Sequence, residues 1–215
     1  MKMIGVTGGV GSGKTELLRY IGEHYSCRIL LADEISHQVM RTGGSVYRQL
    51  VELLQKTPGE EPLTDAKGEI IHSAMASRIF HNPELLNRVN ELLHPAVKEV
   101  VLETVRTEKE KAREGAPDRV DYLFLEAALL IECGYGSLVD EMWYIYCSLD
   151  ERRRRLRKNR GYSEAKIDGI LKTQLTEAEF RRGSDVVIDN SGSLEEACRQ
   201  IDARLITSRR NPTNL

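Results

Sequence analysis

Gly8-Gly9-Val10-Gly11-Ser12-Gly13-Lys14-Thr15 is the stretch on which the fold of this chain turns. It fits G-x-x-x-x-G-K-[ST] and follows a short apolar run at residues 3–6 that ends at Thr7. Beyond it, from residue 14 to about 23, Leu17, Leu18 and Ile21 recur at helical spacing. A strand, a glycine turn and a helix in that order point the turn's N–H groups inward at a helix N-terminus, whose partial positive charge favours a polyphosphate. Glycines at 8, 9, 11 and 13 allow positive φ and close approach of the backbone to a ligand. Lys14 supplies a point charge to the β- and γ-phosphates, and the hydroxyl of Thr15 is the expected Mg²⁺ ligand. The bland alternative, a Gly-rich turn with an exposed Lys, needs eight positions to fall in register by chance.

Outward from the loop, strands and helices alternate. Apolar runs at 27–32, 121–125, 142–146 and 185–189 read as four more strands, giving about five in all. Strands separated by helices imply a parallel sheet with right-handed crossovers, an α/β fold of the P-loop NTPase type. Helical patterns run from Ile35, break at Thr42-Gly43-Gly44 and resume over 46–55. Residues 57–68 read as loop. From 69 to about 114 there is little but helix, punctuated at Asn82-Pro83 and His94-Pro95, because the residue before Pro is pushed out of the helical region. So much helix exceeds one crossover, so residues 58–117 are expected to form a helical insertion beside a core made of 1–57 and 118–215.

The charges nearly cancel, 31 Lys+Arg against 33 Asp+Glu for a formal net charge of −2 over 215 residues. The chain as a whole is therefore not a nucleic-acid sponge. No apolar run approaches the ~18–20 residues of a membrane span, and no signal-peptide pattern opens the chain. Cys27, Cys133, Cys147 and Cys198 lie far apart and read as thiols of a reduced compartment. A soluble cytoplasmic protein is expected. The polar tail from Thr207 reads as frayed. No signal specifies an oligomer, so a monomer or weak homo-oligomer is expected.

Asp33, at the carboxyl end of the second strand, stands on the sheet edge where open α/β folds bind ligands. From spacing alone it reads equally as a base for an acceptor hydroxyl or as a cap for the next helix. Here the chain resembles a known family. The loop, Ala32-Asp33-Glu34, Leu93-His94-Pro95, Glu126 to Glu132, and Asp185-Val186-Val187-Ile188-Asp189-Asn190-Ser191-Gly192 occur in the order and spacing of dephospho-CoA kinases, from residue 3 to about 205. The resemblance implies a nucleoside-monophosphate-kinase-like core with a helical acceptor domain and a lid at about 151–183. It also implies ATP-dependent phosphorylation of the ribose 3′-hydroxyl of dephospho-CoA, with Mg²⁺ as metal and no nucleic acid or membrane partner.

Carried over by position, the family's catalytic Asp falls on Asp33, while the first Asp of its D-A-D segment is Leu31 here. Its acid-x-Pro-Leu-Leu-x-Glu segment falls on residues 126–132 with Ala128 in place of Pro, making Glu126 the acid that orients Mg²⁺. Gly8, Gly9, Gly11, Ser12, Gly13, Lys14, Thr15 and Glu16 are the expected nucleotide-binding residues, joined by Asn190 near the adenine. His94 is expected on the acceptor side. Residues 151–160 crowd seven cations into ten positions, which reads as a solvated or nucleic-acid-facing basic helix or as a lid delivering Arg to the phosphoryl group. The family's Arg-Leu falls on Arg155-Leu156 and its next Arg on Asn159, so Arg160 and then Arg155 are the expected lid cations, with most of the other arginines on the surface. Gln174 matches a family Gln near the lid, or is a helix-surface amide. A GTPase reading of Asp189-Asn190-Ser191-Gly192 lacks any N-K-x-D partner.

Overall fold

Strands that read as unbroken apolar runs must be covered on both faces, as parallel sheets between helices are. In the computed structural model, which describes residues 1–59, 61–80, 82–132 and 134–205, β1 (Lys2–Thr7) is buried from Met3 onward. It pairs in parallel with β3 (Tyr122–Glu126), placing Val6 opposite Glu126. On its other side it pairs in parallel with β4 (Glu141–Tyr146), and β4 pairs likewise with β5 (Val186–Asp189). β2 (Cys27–Leu31) completes a five-stranded sheet of order β2-β3-β1-β4-β5. The five-stranded parallel sheet is the one expected from the sequence. Cys133, His81 and the tail read as frayed lie outside the described residues.

Two compact units divide the chain, one joining Met1–Leu30 to the residues from Glu108 on, the other Leu31–Thr107. The sheet unit is organised around β1, whose C-terminal edge runs into the glycine loop. α1 (Lys14–His24) follows and buries Leu17, Leu18 and Ile21. It packs beside α9 (Leu194–Arg204), where the hydroxyls of Tyr20 and Tyr25 both donate to Asp202 Oδ1 at 2.7 and 2.5 Å. Trp143 and Phe124 meet edge to face in the sheet core, and the indole N–H donates to Glu141 at 2.7 Å. After β4 come α6 (Leu149–Arg160), α7 (Glu164–Lys172) and α8 (Glu177–Arg182).

The second unit is helical: α2 (Ala32–Met40), α3 (Tyr47–Gln55), α4 (His72–Phe80) and most of α5 (Pro83–Glu114). Its division falls at residue 31, earlier than the 58 read from the sequence, because α2 packs on α3, and Ile35 and Val39 of the one and Leu50 and Leu54 of the other are buried. α2 starts three residues before the expected Ile35, so Asp33 lies in a first helical turn rather than at a strand end. The expected break at His94-Pro95 does not occur; α5 runs straight through. A proline there removes one N–H bond from the ladder, but the buried stripe Leu85, Val89, Leu93, Ala96, Val97 and Val101 keeps helical spacing across it. The break at Asn82-Pro83 is present. Asn82 Oδ1 accepts from the Leu85 N–H at 3.0 Å and Pro83 opens the helix, the arrangement in which a missing N–H costs nothing. No described helix is long and apolar enough to cross a membrane.

Candidate functional site

The loop between β1 and α1 takes its shape from its glycines, each for its own reason. Gly8, Gly11 and Gly13 have φ of 150°, 85° and 88°, angles that side chains rarely adopt. Gly13 is the N-cap of α1 in the left-handed region, so the helix begins at Lys14 with its first N–H groups facing the turn. Gly9 does not have a positive φ; the expectation fails at that position. What it provides is room, because a Cβ there would collide with the guanidinium of Arg152. At Gly13 a Cβ would likewise meet the side-chain amide of Asn190, and at Gly8 it would lie 2.6 Å from the Ile145 carbonyl.

Inside this cradle the Lys14 ammonium donates to the Gly8 carbonyl at 2.7 Å and lies 3.6 Å from Glu126 Oε1. Glu126 closes β3 in register with Val6, so the parallel pairing itself brings this acid to the loop. Both side chains are largely buried. Ser12 is buried, and among the described residues its hydroxyl has no hydrogen-bond partner, leaving a donor unused on the loop. Thr15 and Glu16 stand exposed in the first turn of α1, and Glu16 is taken up by Arg19 at 2.9 Å.

A second layer holds the loop from the β4–α6 side. Asn190 is buried and donates through Nδ2 to the Ser12 carbonyl at 2.7 Å. Arg155 donates to the Ser12 and Asn190 carbonyls at 3.3 and 2.8 Å, and to Glu151 at 2.8 Å. Hydrogen bonds from Arg154 and then Arg155 hold the Glu151 carboxyl well below the carboxylate range, at about 2. Arg152 donates from Nε to the Val10 carbonyl at 3.0 Å and from Nη2 to Gln174 Oε1 at 2.5 Å. Gln174 Oε1 also accepts from the Val10 N–H at 3.2 Å. Burial pushes the Arg152 guanidinium below its ordinary value.

Of the expected residues, the structure therefore brings together Gly8 to Lys14, Glu126, Arg155 and Asn190. Arg160 is elsewhere: it is exposed in the last turn of α6, where its hydrogen bond holds the Tyr162 phenol below its ordinary value. Arg152, one of the arginines expected mostly on the surface, is the one that reaches the loop crown. The signal was present, since Leu156 is the buried residue of α6 and Arg152 lies one turn before it on the same face. The basic run is not an open cationic face either. Arg153 pairs with Glu164 and Asp168, Arg154 with Glu151, and Arg157 with Glu164. In the other unit, Asp33 and His94 are both exposed. Asp33 is not the cap of α2, whose N-cap is Leu31 and makes no side-chain cap bond; its carboxylate remains available for other chemistry.

The donor set suits a magnesium that travels with a nucleotide. Mg²⁺ keeps several waters and takes one or two carboxylates plus substrate phosphates. The described residues hold no cluster of three or more acidic, His or Cys ligands, and they do offer one hydroxyl, Thr15, and one carboxylate, Glu126.

A glycine cradle at a helix N-terminus, a buried lysine within it and an arginine-bearing helical segment against it, all on a five-stranded parallel sheet, define a P-loop kinase. A family model described as dephospho-CoA kinase matches residues 2–196. A dephospho-CoA kinase from Carboxydothermus hydrogenoformans is 31% identical over 201 residues, 94% of this chain and 91% of that one. Another from Geobacillus kaustophilus is 34% identical over 203 residues, 94% of each. In structure, the dephospho-CoA kinase from Campylobacter jejuni shares the fold with a TM-score of 0.69 at 19% identity, covering 96% of this chain and 98% of that one. The chain belongs to the dephospho-CoA kinase family.

Proposed function

We propose that this chain transfers the terminal phosphoryl group of ATP to the ribose 3′-hydroxyl of dephospho-CoA, giving CoA and ADP. The observation that carries the reading is the Lys14 ammonium, held between the Gly8 carbonyl and Glu126 in a loop that side chains would fill, in a chain of this family.

Phosphoryl transfer asks the protein for positioning and charge rather than covalent chemistry. The inward N–H groups of the loop and Lys14 bind the phosphate chain and neutralise charge that builds on the transferred group. Thr15 and Glu126 are the residues that would hold Mg²⁺, which supplies further charge neutralisation when bound. Asp33 orients the 3′-hydroxyl and takes its proton as the new O–P bond forms. Arg155 and Asn190 brace the Ser12–Gly13 end of the loop, and His94 is a residue for acceptor contact. Residues 151–183 act as the lid, excluding water that would otherwise take the phosphoryl group.

The test is ADP release with dephospho-CoA offered beside AMP, UMP and pantetheine phosphate. Turnover should be fast with dephospho-CoA alone. Comparable turnover with AMP or UMP would make the chain a nucleotide kinase instead.

A further inference from the structure

Four arginines of α6 are neutralised by protein carboxylates, namely Arg153, Arg154, Arg155 and Arg157. Arg152 and Arg160 enter no ion pair among the described residues; Arg160 is exposed and bonds to Tyr162, whereas Arg152 is half-buried and bonds only to a carbonyl and an amide oxygen. A desolvated cation with no anion is unfavourable unless a ligand provides one.

Its place says which ligand charge that is. Arg155 and Asn190 grip the Ser12–Gly13 end of the loop. Arg152 lies at the other end, over Gly9 and Val10, next in the chain to the Gly8 carbonyl on which the Lys14 ammonium rests. In such loops the lysine marks the β/γ end of the phosphate chain. The guanidinium of Arg152, Nη2 nearest, lies over Gly9, the residue whose φ needs no glycine and whose missing side chain leaves the guanidinium its space.

We infer that Arg152 is the cation that meets the terminal phosphoryl group of the bound nucleotide, and that position 9 is glycine so that the guanidinium can lie there. The inference rests on the nucleotide-binding reading of the loop and adds a residue that neither the motif nor the sequence-based choice of Arg160 identified. Gln174, which accepts from both Arg152 and the Val10 N–H, positions the guanidinium and the loop crown together.

A nucleotide with a third phosphate separates this role from simple bracing of the loop. Binding of AMP-PNP and of ADP to the full chain, measured by calorimetry with Mg²⁺, should split for Arg152→Ala. AMP-PNP should weaken about tenfold or more, the scale of one charge-assisted hydrogen bond, with ADP within about twofold. Arg152→Lys should recover part of the loss, and Gly9→Ala should reproduce it with no further loss when combined with Arg152→Ala. Equal weakening of both nucleotides, or of neither, would overturn the assignment to the terminal phosphoryl group. Additive losses in the double variant would separate Gly9 from Arg152. Lys14→Ala distinguishes the two levels of failure: if it leaves both affinities intact, the loop reading itself falls and takes this inference with it. If Lys14→Ala weakens binding and Arg152→Ala does not discriminate, only the inference falls.

Discussion

Asp33 shows how one residue can be legible in role and illegible in place. The family resemblance names it, but β2 stops at Leu31, and the residue sits in the first turn of α2 beside Glu34. Two acids there suit the positive end of a helix, so the local sequence satisfies a helix start and leaves the Asp33 side chain exposed. Asp33→Asn keeps the shape and removes the base, so kcat should drop by about 10²–10⁴; a change confined to KM would make Asp33 a binding group only. The arginines of α6 are hard to rank from sequence for a related reason. A run of like residues carries no periodicity of its own, and the face of α6 had to be read from Leu156. Arg155→Ala should cost more activity than Arg160→Ala, since Arg155 holds the Ser12 and Asn190 carbonyls and Arg160 holds Tyr162. Steady-state kinetics of the two variants decides, and the opposite order would return Arg160 to the lid role.

At the scale of elements, the helix start at Asn82-Pro83 could be read directly, because a cap is a local signal: Asn82 accepts from Leu85. Thr176 and Ser193 each close a capping box that was not among the sequence-based expectations. The continuation of α5 through Pro95 could not be read, since it depends on a core that only the folded chain provides. Pro95 is exposed within that helix. Pro95→Ala should therefore stabilise the protein, by up to about 3 kcal/mol, the interior-helix difference between the two residues. Urea unfolding measures it, and a destabilised variant would show that the ring makes a contact worth more than the helix bond it removes. In α6, Glu151 joins two arginines. Its folded pKa lies below the unfolded value, so its contribution is present above the unfolded pKa, near 4.5, and is lost as pH falls towards the folded value of about 2. The carboxyl resonance of Glu151 should titrate near pH 2; a midpoint near 4.5 would mean that the arginines do not hold it.

For the molecule as a whole, the glycine loop and five apolar runs were enough for the sheet, because a parallel sheet between helices needs continuous apolar strands and little else. The division of the chain was harder to read. Residues 31–57 look like part of the core by position in sequence, and they join the helical unit through packing of α2 on α3. The thiols also belong to this scale. Burial raises Cys147 and Cys198 above the ordinary thiol value, so both should resist alkylation at pH 7–8 until the protein unfolds, and rapid labelling of the native protein would contradict their burial.

The most direct measurement is ³¹P NMR of the product formed from ATP and dephospho-CoA by the intact chain and by Lys14→Ala. The intact chain should produce a new 3′-phosphomonoester together with ADP. The variant should keep its circular dichroism and lose at least about 10²-fold in rate, as when a contact to transition-state charge is removed. Near-normal phosphomonoester formation by a folded Lys14→Ala protein would contradict the account.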